Sequence, residues 1–296
     1  MYMPDFDYYS PASVEQACAL LDRLGPEALV LAGGTDLLHK MKLGKLSPRS
    51  LVSLKKIKEL KGLRHVPGCG VIIGAATTHS ELMESTLLHR RHFSVSDAAH
   101  QMASNQIRNL GTVGGNLVNG VPSADLPPIL IALEATIKLV GSAGIREMAL
   151  EEFFVEPAAT IIRHGELLTE ITLPDGPWTG SRYIKFGLRR SGALAVVGAA
   201  AAVVHEDGII RKARIVLSSS APKVIRATEA EAYLAGREPT REVLKEAARL
   251  VSAQARPRDS IRGSAEYRRN LAGVLGRRAL QKAIETGHGS PDTKGA

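Results

Sequence analysis

The absences in this sequence narrow its chemistry first. It has only two cysteines in 296 residues, Cys18 and Cys69. One possible pair is no disulfide framework, and two thiols fall short of the four thiolates an iron–sulfur cluster ordinarily takes. No His, Cys or Glu cluster has zinc spacing, so any metal chemistry is expected from another chain. Aromatic residues make up 4% of the chain, which leaves few platforms for stacking nucleic-acid bases. No apolar run reaches the roughly 20 residues that span a bilayer. The longest, Ala193 to Val204, is interrupted by Gly198 and reads as a buried strand. Met1 to Asp5 shows neither the basic region nor the apolar core of a signal peptide, and a cytoplasmic location is expected from that.

A hydrophobic content of 44% and a charged content of 23% suit a soluble globular protein, long enough for two domains. The net charge of +8 is uneven, with an excess of 11 positive charges from Ser181 onward and 3 negative before it. We read the basic C-terminal third as a solvated face or subunit interface, not a nucleic-acid surface.

Periodicity predicts a helix opening at Ser10-Pro11, with Val14, Ala17, Cys18, Leu21 and Leu24 on one face. A strand over 28–32 runs into Gly33-Gly34, and Thr35-Asp36 then offer caps to a helix through Leu37, Leu38 and Met41. Further strands are expected at 51–54, 63–66, 71–75, 137–140, 145–149 and 167–173. Residues 96–109 read as mostly helical and lead to a second glycine turn, 111–116. Ser123 is expected to cap a helix over 126–135. After a linker at 175–180 come strands at 183–188, 194–204 and 209–218, then helices at 227–234, 241–255 and 266–284. The tail 287–296, mostly Gly, Ser, Pro and charge, reads as disordered.

The two glycine pairs each sit beside a threonine, Thr35 and Thr112. Strand, glycine turn and helix start together make an anion-binding device, because glycine lets backbone N–H groups converge on a phosphate. Either pair alone is equally a plain tight turn. Neither matches the dinucleotide fingerprint G-x-G-x-x-G or a P-loop.

At these residues the chain resembles the FAD-binding medium subunits of the molybdenum hydroxylases. The resemblance is carried by Leu31-Ala32-Gly33-Gly34-Thr35-Asp36-Leu37-Leu38 and by Gln106-Ile107-Arg108-Asn109-Leu110-Gly111-Thr112-Val113-Gly114-Gly115-Asn116-Leu117. Ser123-Ala124-Asp125-Leu126, the run 165–171, the run 183–190 and Tyr267 to Ala272 extend it. It implies an α+β chain: a two-subdomain FAD-binding fold of the vanillyl-alcohol oxidase type over 1–176, with a break near 55–60. A small α+β C-terminal domain would follow over 181–286. It also implies a cofactor site. Ala32, Gly33, Gly34, Thr35 and Asp36 would hold the FAD diphosphate together with Thr112, Val113, Gly114, Gly115 and Asn116, and Leu31, Leu37 and Met102 would be further cofactor-binding residues. Asp125 would bind ribityl or ribose hydroxyls, Leu168 would offer its backbone, and Lys185 would lie near the flavin. The implied partners are a large subunit with the molybdenum cofactor and a small subunit with two 2Fe–2S clusters, and a dimer of heterotrimers is one assembly the resemblance allows. Two departures stand out. Asn119-Gly120-Val121-Pro122 lacks the cysteine-rich insertion of the 4-hydroxybenzoyl-CoA reductase subunit, and Arg190-Ser191-Gly192-Ala193-Leu194 lacks a tyrosine that some relatives place beside the flavin ring.

Other residues are weighed on their own. Asp125, like Ser123, could serve only as a helix cap. Lys185 on a strand is ordinarily a solvated lysine, although a cation beside a flavin would favour its reduced form. For His79 a capping or surface role is preferred, and Arg108 and Asn109 are expected to set a loop conformation. Cys69 reads as a turn residue. Two rival functions remain: a structural subunit that has lost the flavin, and a free-standing flavin oxidoreductase of the same fold.

Overall fold

The computed structural model describes residues 3–286, so the disorder expected for 287–296 lies outside the described residues. The chain folds as two lobes and an appended C-terminal domain. The first lobe comprises β1 (Asp7–Tyr9), α1 (Val14–Leu24), β2 (Ala28–Leu31), α2 (Leu37–Lys42) and β3 (Ser50–Ser53). Its three strands are parallel in the order β1-β3-β2. Helix α1 starts three residues later than Ser10-Pro11 suggests, because the Ser13 side chain takes the cap and accepts from the Gln16 N–H. Its apolar stripe of Val14, Ala17, Cys18 and Leu21 is buried against β2 and β3.

The second lobe holds β4 (Leu63–Val66), β5 (Gly70–Gly74), α3 (His79–Glu84), α4 (Thr86–Arg91), α5 (Phe93–His100), α6 (Asn105–Arg108), α7 (Val113–Val118) and α8 (Leu126–Ala132). It continues with β6 (Thr136–Gly141), β7 (Gly144–Ala149), α9 (Leu150–Phe153), β8 (Phe154–Glu156), β9 (Ala159–Thr160) and β10 (Leu167–Leu173). Its five-stranded sheet is antiparallel in the order β4-β5-β10-β6-β7. The last strand in sequence thus fills the middle of the sheet and draws the two hairpins together. The single helix expected over 96–109 is in fact broken: α5 ends at His100, and Ala103 (φ 40°) turns the chain before α6.

The C-terminal domain is a meander of β11 (Gly180–Gly187), β12 (Ala195–Glu206), β13 (Ile209–Ser218) and β14 (Ile225–Arg226), followed by α10 (Thr228–Leu234), α11 (Arg241–Gln254) and α12 (Ala265–Thr286). Strand β12 is buried on both faces. Val197, Ala199, Ala201 and Val203 face the core built with α10 to α12, while Ala200, Ala202 and Val204 join the core of the second lobe. Period-two alternation with no polar face is the signature of a strand between two layers. Among the described residues no helix is long and apolar enough to cross a membrane.

Candidate functional site

A cavity of about 660 Å³ opens where both lobes and the β11–β12 loop converge. Ala32, Gly33, Gly34, Thr35, Asp36, Leu37, Met102, Thr112, Gly114, Gly115, Asn116, Asp125 and Leu168 line it, so the fold gathers nearly all the candidate residues in one place. Leu31 and Lys185 do not line it. Leu31 is the last residue of β2, and its carbonyl accepts from the Leu54 N–H.

The first glycine motif is a turn, with Gly34 at φ +75°, a conformation that glycine adopts without strain. Gly33 has a different task. A Cβ there would run into the backbone carbonyl of Leu110, just ahead of the second motif. Glycine at 33 is what lets the two motifs touch. Asp36 occupies the N-cap position of α2 but makes no side-chain cap.

The second motif is not a turn. Thr112 caps α7, its Oγ1 accepting from the Gly115 N–H at 3.1 Å, and Gly114 and Gly115 lie in the first helical turn. The N–H groups of Val113 and Gly114 donate to the carbonyls of Thr77 and Ala75. Gly114 is pressed against Ala75, where a Cβ would meet another Cβ at 2.7 Å. These N–H groups are therefore spoken for, and they do not form the open phosphate cradle that the glycine pair suggests. What the motif turns toward the cavity is side chain. The Thr112 hydroxyl accepts from Gly115 and keeps its own proton for a ligand, and the buried Asn116 Oδ1 has no partner among the described residues.

Asp125 sits at the start of α8, yet neither it nor Ser123 makes a side-chain cap there. Its carboxylate is taken from behind by the C-terminal domain: Tyr183 Oη donates to Oδ1 at 2.7 Å and Lys185 Nζ to Oδ2 at 2.7 Å. Lys185 also donates to the Gln101 carbonyl at 3.2 Å. This lysine is buried, contrary to the solvated lysine its strand suggests, and stands one residue back from the cavity. Its charge is matched by Asp125, so it is no free cation beside a ligand. Burial pushes the Asp125 carboxyl above the usual carboxylate range, against the pull of the Lys185 ammonium and the Tyr183 hydroxyl. Burial, and then the Asp125 carboxylate, push the Tyr183 hydroxyl up in turn. Gly198, paired with Lys185 across the sheet, is what admits the Tyr183 ring, since a Cβ there would collide with Ser218 Oγ and Tyr183 Oη.

His79 also departs from expectation. Thr78 provides the cap of α3 through a capping box with Glu81, and His79 is 2% exposed, lines the cavity and packs on Gly111. Burial, helped by the Arg108 guanidinium, lowers its pKa to about 4, so it is neutral near pH 7. Its Nδ1 has no partner among the described residues. Arg108 sets the loop ahead of it as expected, donating to the Met102 carbonyl at 2.6 Å and to Asn105. Asn109 accepts from Ser80 Oγ. Leu168 stands at a register shift in β10, where an irregular backbone borders the cavity. Cys69 is exposed in its turn. Cys18 is buried, and desolvation raises its thiol to about 11, which keeps it protonated.

Sequence reasoning missed Lys40, Asn119, Arg163, His164 and Gly165 as cavity residues. The helical spacing of Asp36 and Lys40 was the available signal for the first of these. Ala193 and Leu194 line the cavity from the C-terminal domain, so that wall is apolar.

A cavity between two lobes, framed by two glycine motifs and lined by Asn116 and His79 with unpartnered polar atoms, defines a cofactor-binding protein and fits the diphosphate and hydroxyls of FAD. Residues 4–176 match the FAD binding domain in molybdopterin dehydrogenase, and residues 182–283 match the CO dehydrogenase flavoprotein C-terminal domain. The carbon monoxide dehydrogenase medium chain of Hydrogenophaga pseudoflava is 36% identical over 284 residues, covering 96% of this chain and 98% of that one. The medium chain from Afipia carboxidovorans is 38% identical over 279 residues, covering 94% and 96%. The solved carbon monoxide dehydrogenase from H. pseudoflava that lacks the Mo-pyranopterin moiety superposes with a TM-score of 0.93 at 36% identity, over 96% of this chain and 99% of that one. The chain belongs to the family of FAD-binding subunits of molybdopterin dehydrogenases.

Proposed function

We propose that this chain is the FAD-carrying electron-transfer subunit of a heteromeric molybdenum hydroxylase. Electrons would arrive from the 2Fe–2S clusters of a small partner subunit and leave to an external acceptor. The organic substrate would be oxidised on a large partner subunit that holds the molybdenum cofactor. The observation that carries this reading is the meeting of the two glycine motifs, Gly33 against Leu110, on one cavity that Asp125 closes from the second lobe. Its support from kinship is the likeness, over nearly the whole chain, to medium chains of carbon monoxide dehydrogenases.

Bound FAD would supply one- and two-electron exchange. The chain supplies binding and orientation. In this reading Ala32 to Leu37, Thr112 and Asn116 hold the diphosphate region, with Gly114 and Gly115 keeping the wall thin. Asp125 accepts from ribityl or ribose hydroxyls while Lys185 and Tyr183 fix its carboxylate. Neutral His79 offers a ring nitrogen without charge, and Ala193 and Leu194 exclude water. We assign the FAD-binding unit to 1–176 and the C-terminal domain to 181–286. We place the protein in the cytoplasm, which the unpaired cysteines Cys18 and Cys69 suit.

The test is turnover with an artificial electron acceptor, by the chain alone and with its two partner subunits. The expected result is an isolated yellow chain that dithionite reduces but no organic substrate does. Substrate-dependent turnover by the chain alone would reject the relay role in favour of a free-standing oxidoreductase. A colourless chain that takes up no FAD would support the purely structural subunit.

A further inference from the structure

Lys40 lies on the cavity wall outside both glycine motifs. It stands in α2 four residues beyond Asp36 and three beyond Leu37, and all three line the cavity, as helical spacing on one face requires. Its Nζ donates to Asn119 Oδ1 at 3.0 Å in a half-buried contact. Asn119 follows α7 and lines the same cavity, so the bond ties the first lobe to the second. Among the described residues no carboxylate lies within ion-pair distance of Lys40.

Among the other charged residues that line the cavity, Asp125 is paired with Lys185 and Glu166 with Arg146. Asp36, exposed at the start of α2, makes no side-chain cap and, among the described residues, no ion pair with Lys40. His79 is neutral. Arg163 donates its backbone N–H to Glu166 and sits beside that carboxylate. Lys40 is thus a cavity cation resting on a neutral amide. An ammonium carries three N–H donors, and Asn119 Oδ1 takes only one. A dinucleotide brings two phosphate charges into this space.

On the reading that the cavity takes FAD, we infer that Lys40 is a phosphate-binding residue of the site. Its ammonium pairs with the cofactor's diphosphate while Asn119 holds the lysine in place from the opposite lobe. The glycine motifs then shape the cradle, and Lys40 supplies its charge. This division follows from the second motif, whose Val113 and Gly114 N–H groups already have acceptors within the protein.

The experiment strips flavin from the full-length chain and titrates the apoprotein with FAD and with riboflavin, at low and high salt, by flavin fluorescence. Lys40→Met keeps the aliphatic stem and removes the charge. Loss of one charge-assisted contact is expected to weaken FAD by about tenfold to a hundredfold. It should also flatten the salt dependence of FAD binding and leave riboflavin, which has no phosphate, unchanged. Lys40→Arg should restore most of the FAD affinity. Equal losses for FAD and riboflavin would show that Lys40 only fastens the lobes, and wild-type FAD affinity in Lys40→Met would equally overturn the inference. A wild-type chain that binds riboflavin but gains nothing from the diphosphate overturns it while sparing the flavin reading. A wild-type chain that binds neither ends both.

Discussion

Asp125 and Lys185 come from different domains, 60 residues apart, and meet through a 2.7 Å contact with both side chains almost wholly buried. Tyr183 completes the bridge on the second carboxylate oxygen. Of these three residues Asp125 lines the cavity, so the C-terminal domain acts on the cofactor site through this carboxylate as well as through Ala193 and Leu194, which line the cavity directly. Taking two charges out of water is costly, and only good geometry with further hydrogen bonds offsets that cost; Gln101 and Tyr183 provide them.

Breaking this pair from one side should therefore be worse than removing it. Lys185→Met leaves a buried carboxylate without its cation and is expected to cost about 3–5 kcal/mol of stability. The double variant Asp125→Asn with Lys185→Met should recover a large part of that loss in a denaturant-melt cycle. FAD affinity should fall in every variant that alters Asp125. An unchanged melt for Lys185→Met would mean that Asp125 takes up a proton in the fold and that the pair is a neutral hydrogen bond.

His79 should make the protein acid-sensitive. Its pKa is lowered to about 4 in the fold from an ordinary value of 6.5. The neutral form is the one the fold favours, so this contribution is complete above pH 6.5 and is lost as pH falls toward 4. The shift corresponds to roughly 3 kcal/mol. Urea melts of wild type and His79→Gln across this range should show wild type losing stability faster toward acid. Parallel pH profiles would indicate that His79 titrates normally.

The glycines should separate by task. Gly33→Ala places a Cβ against the Leu110 carbonyl and must push the two motifs apart, so both flavin content and thermal stability are expected to drop. In Gly115→Ala the new methyl meets only the capping hydroxyl of Thr112, at 3.0 Å. Stability should change by about 1 kcal/mol or less, the scale of one cap, while flavin content falls. Circular dichroism melts with flavin-to-protein absorbance ratios on both variants check this, and equal behaviour of the two would reject the division.

FAD should be held without a covalent bond. No cysteine lines the cavity, and His164 Nε2 is engaged by the Leu21 carbonyl at 2.9 Å. Acid precipitation should release the yellow colour, identified as FAD by chromatography. Colour that stays with the pellet would point to attachment at His79.

The parts legible in the sequence are those whose physics is local. Val14, Ala17, Cys18 and Leu21 declare a helix because 3.6-residue periodicity is written in consecutive residues, and β12 declares a strand through its length and its Ala and Val content. Both glycine motifs could be found because each is contiguous, and thirteen of the residues they and their neighbours suggested do line one cavity.

The second motif was misjudged because a Gly-Gly pair looks like a turn until a cap is recognised. Thr112 supplies that cap, and its helix runs on through both glycines. Asp125 resembled a helix cap for the same reason, since capping is the local use of an aspartate. Whether it caps or pairs depends on Tyr183 and Lys185, which β11 delivers from another domain.

The residue sequence by itself determined most helices and strands, the positions of the two motifs and a cysteine count too low for an iron–sulfur ligand set. Tertiary structure alone decided which charges are paired. Lys185 has a buried carboxylate before it and Lys40 has only an amide, although both are lysines in ordinary elements. A charge's partner is set by distances of about 3 Å between residues far apart in the chain, and no local pattern encodes such distances.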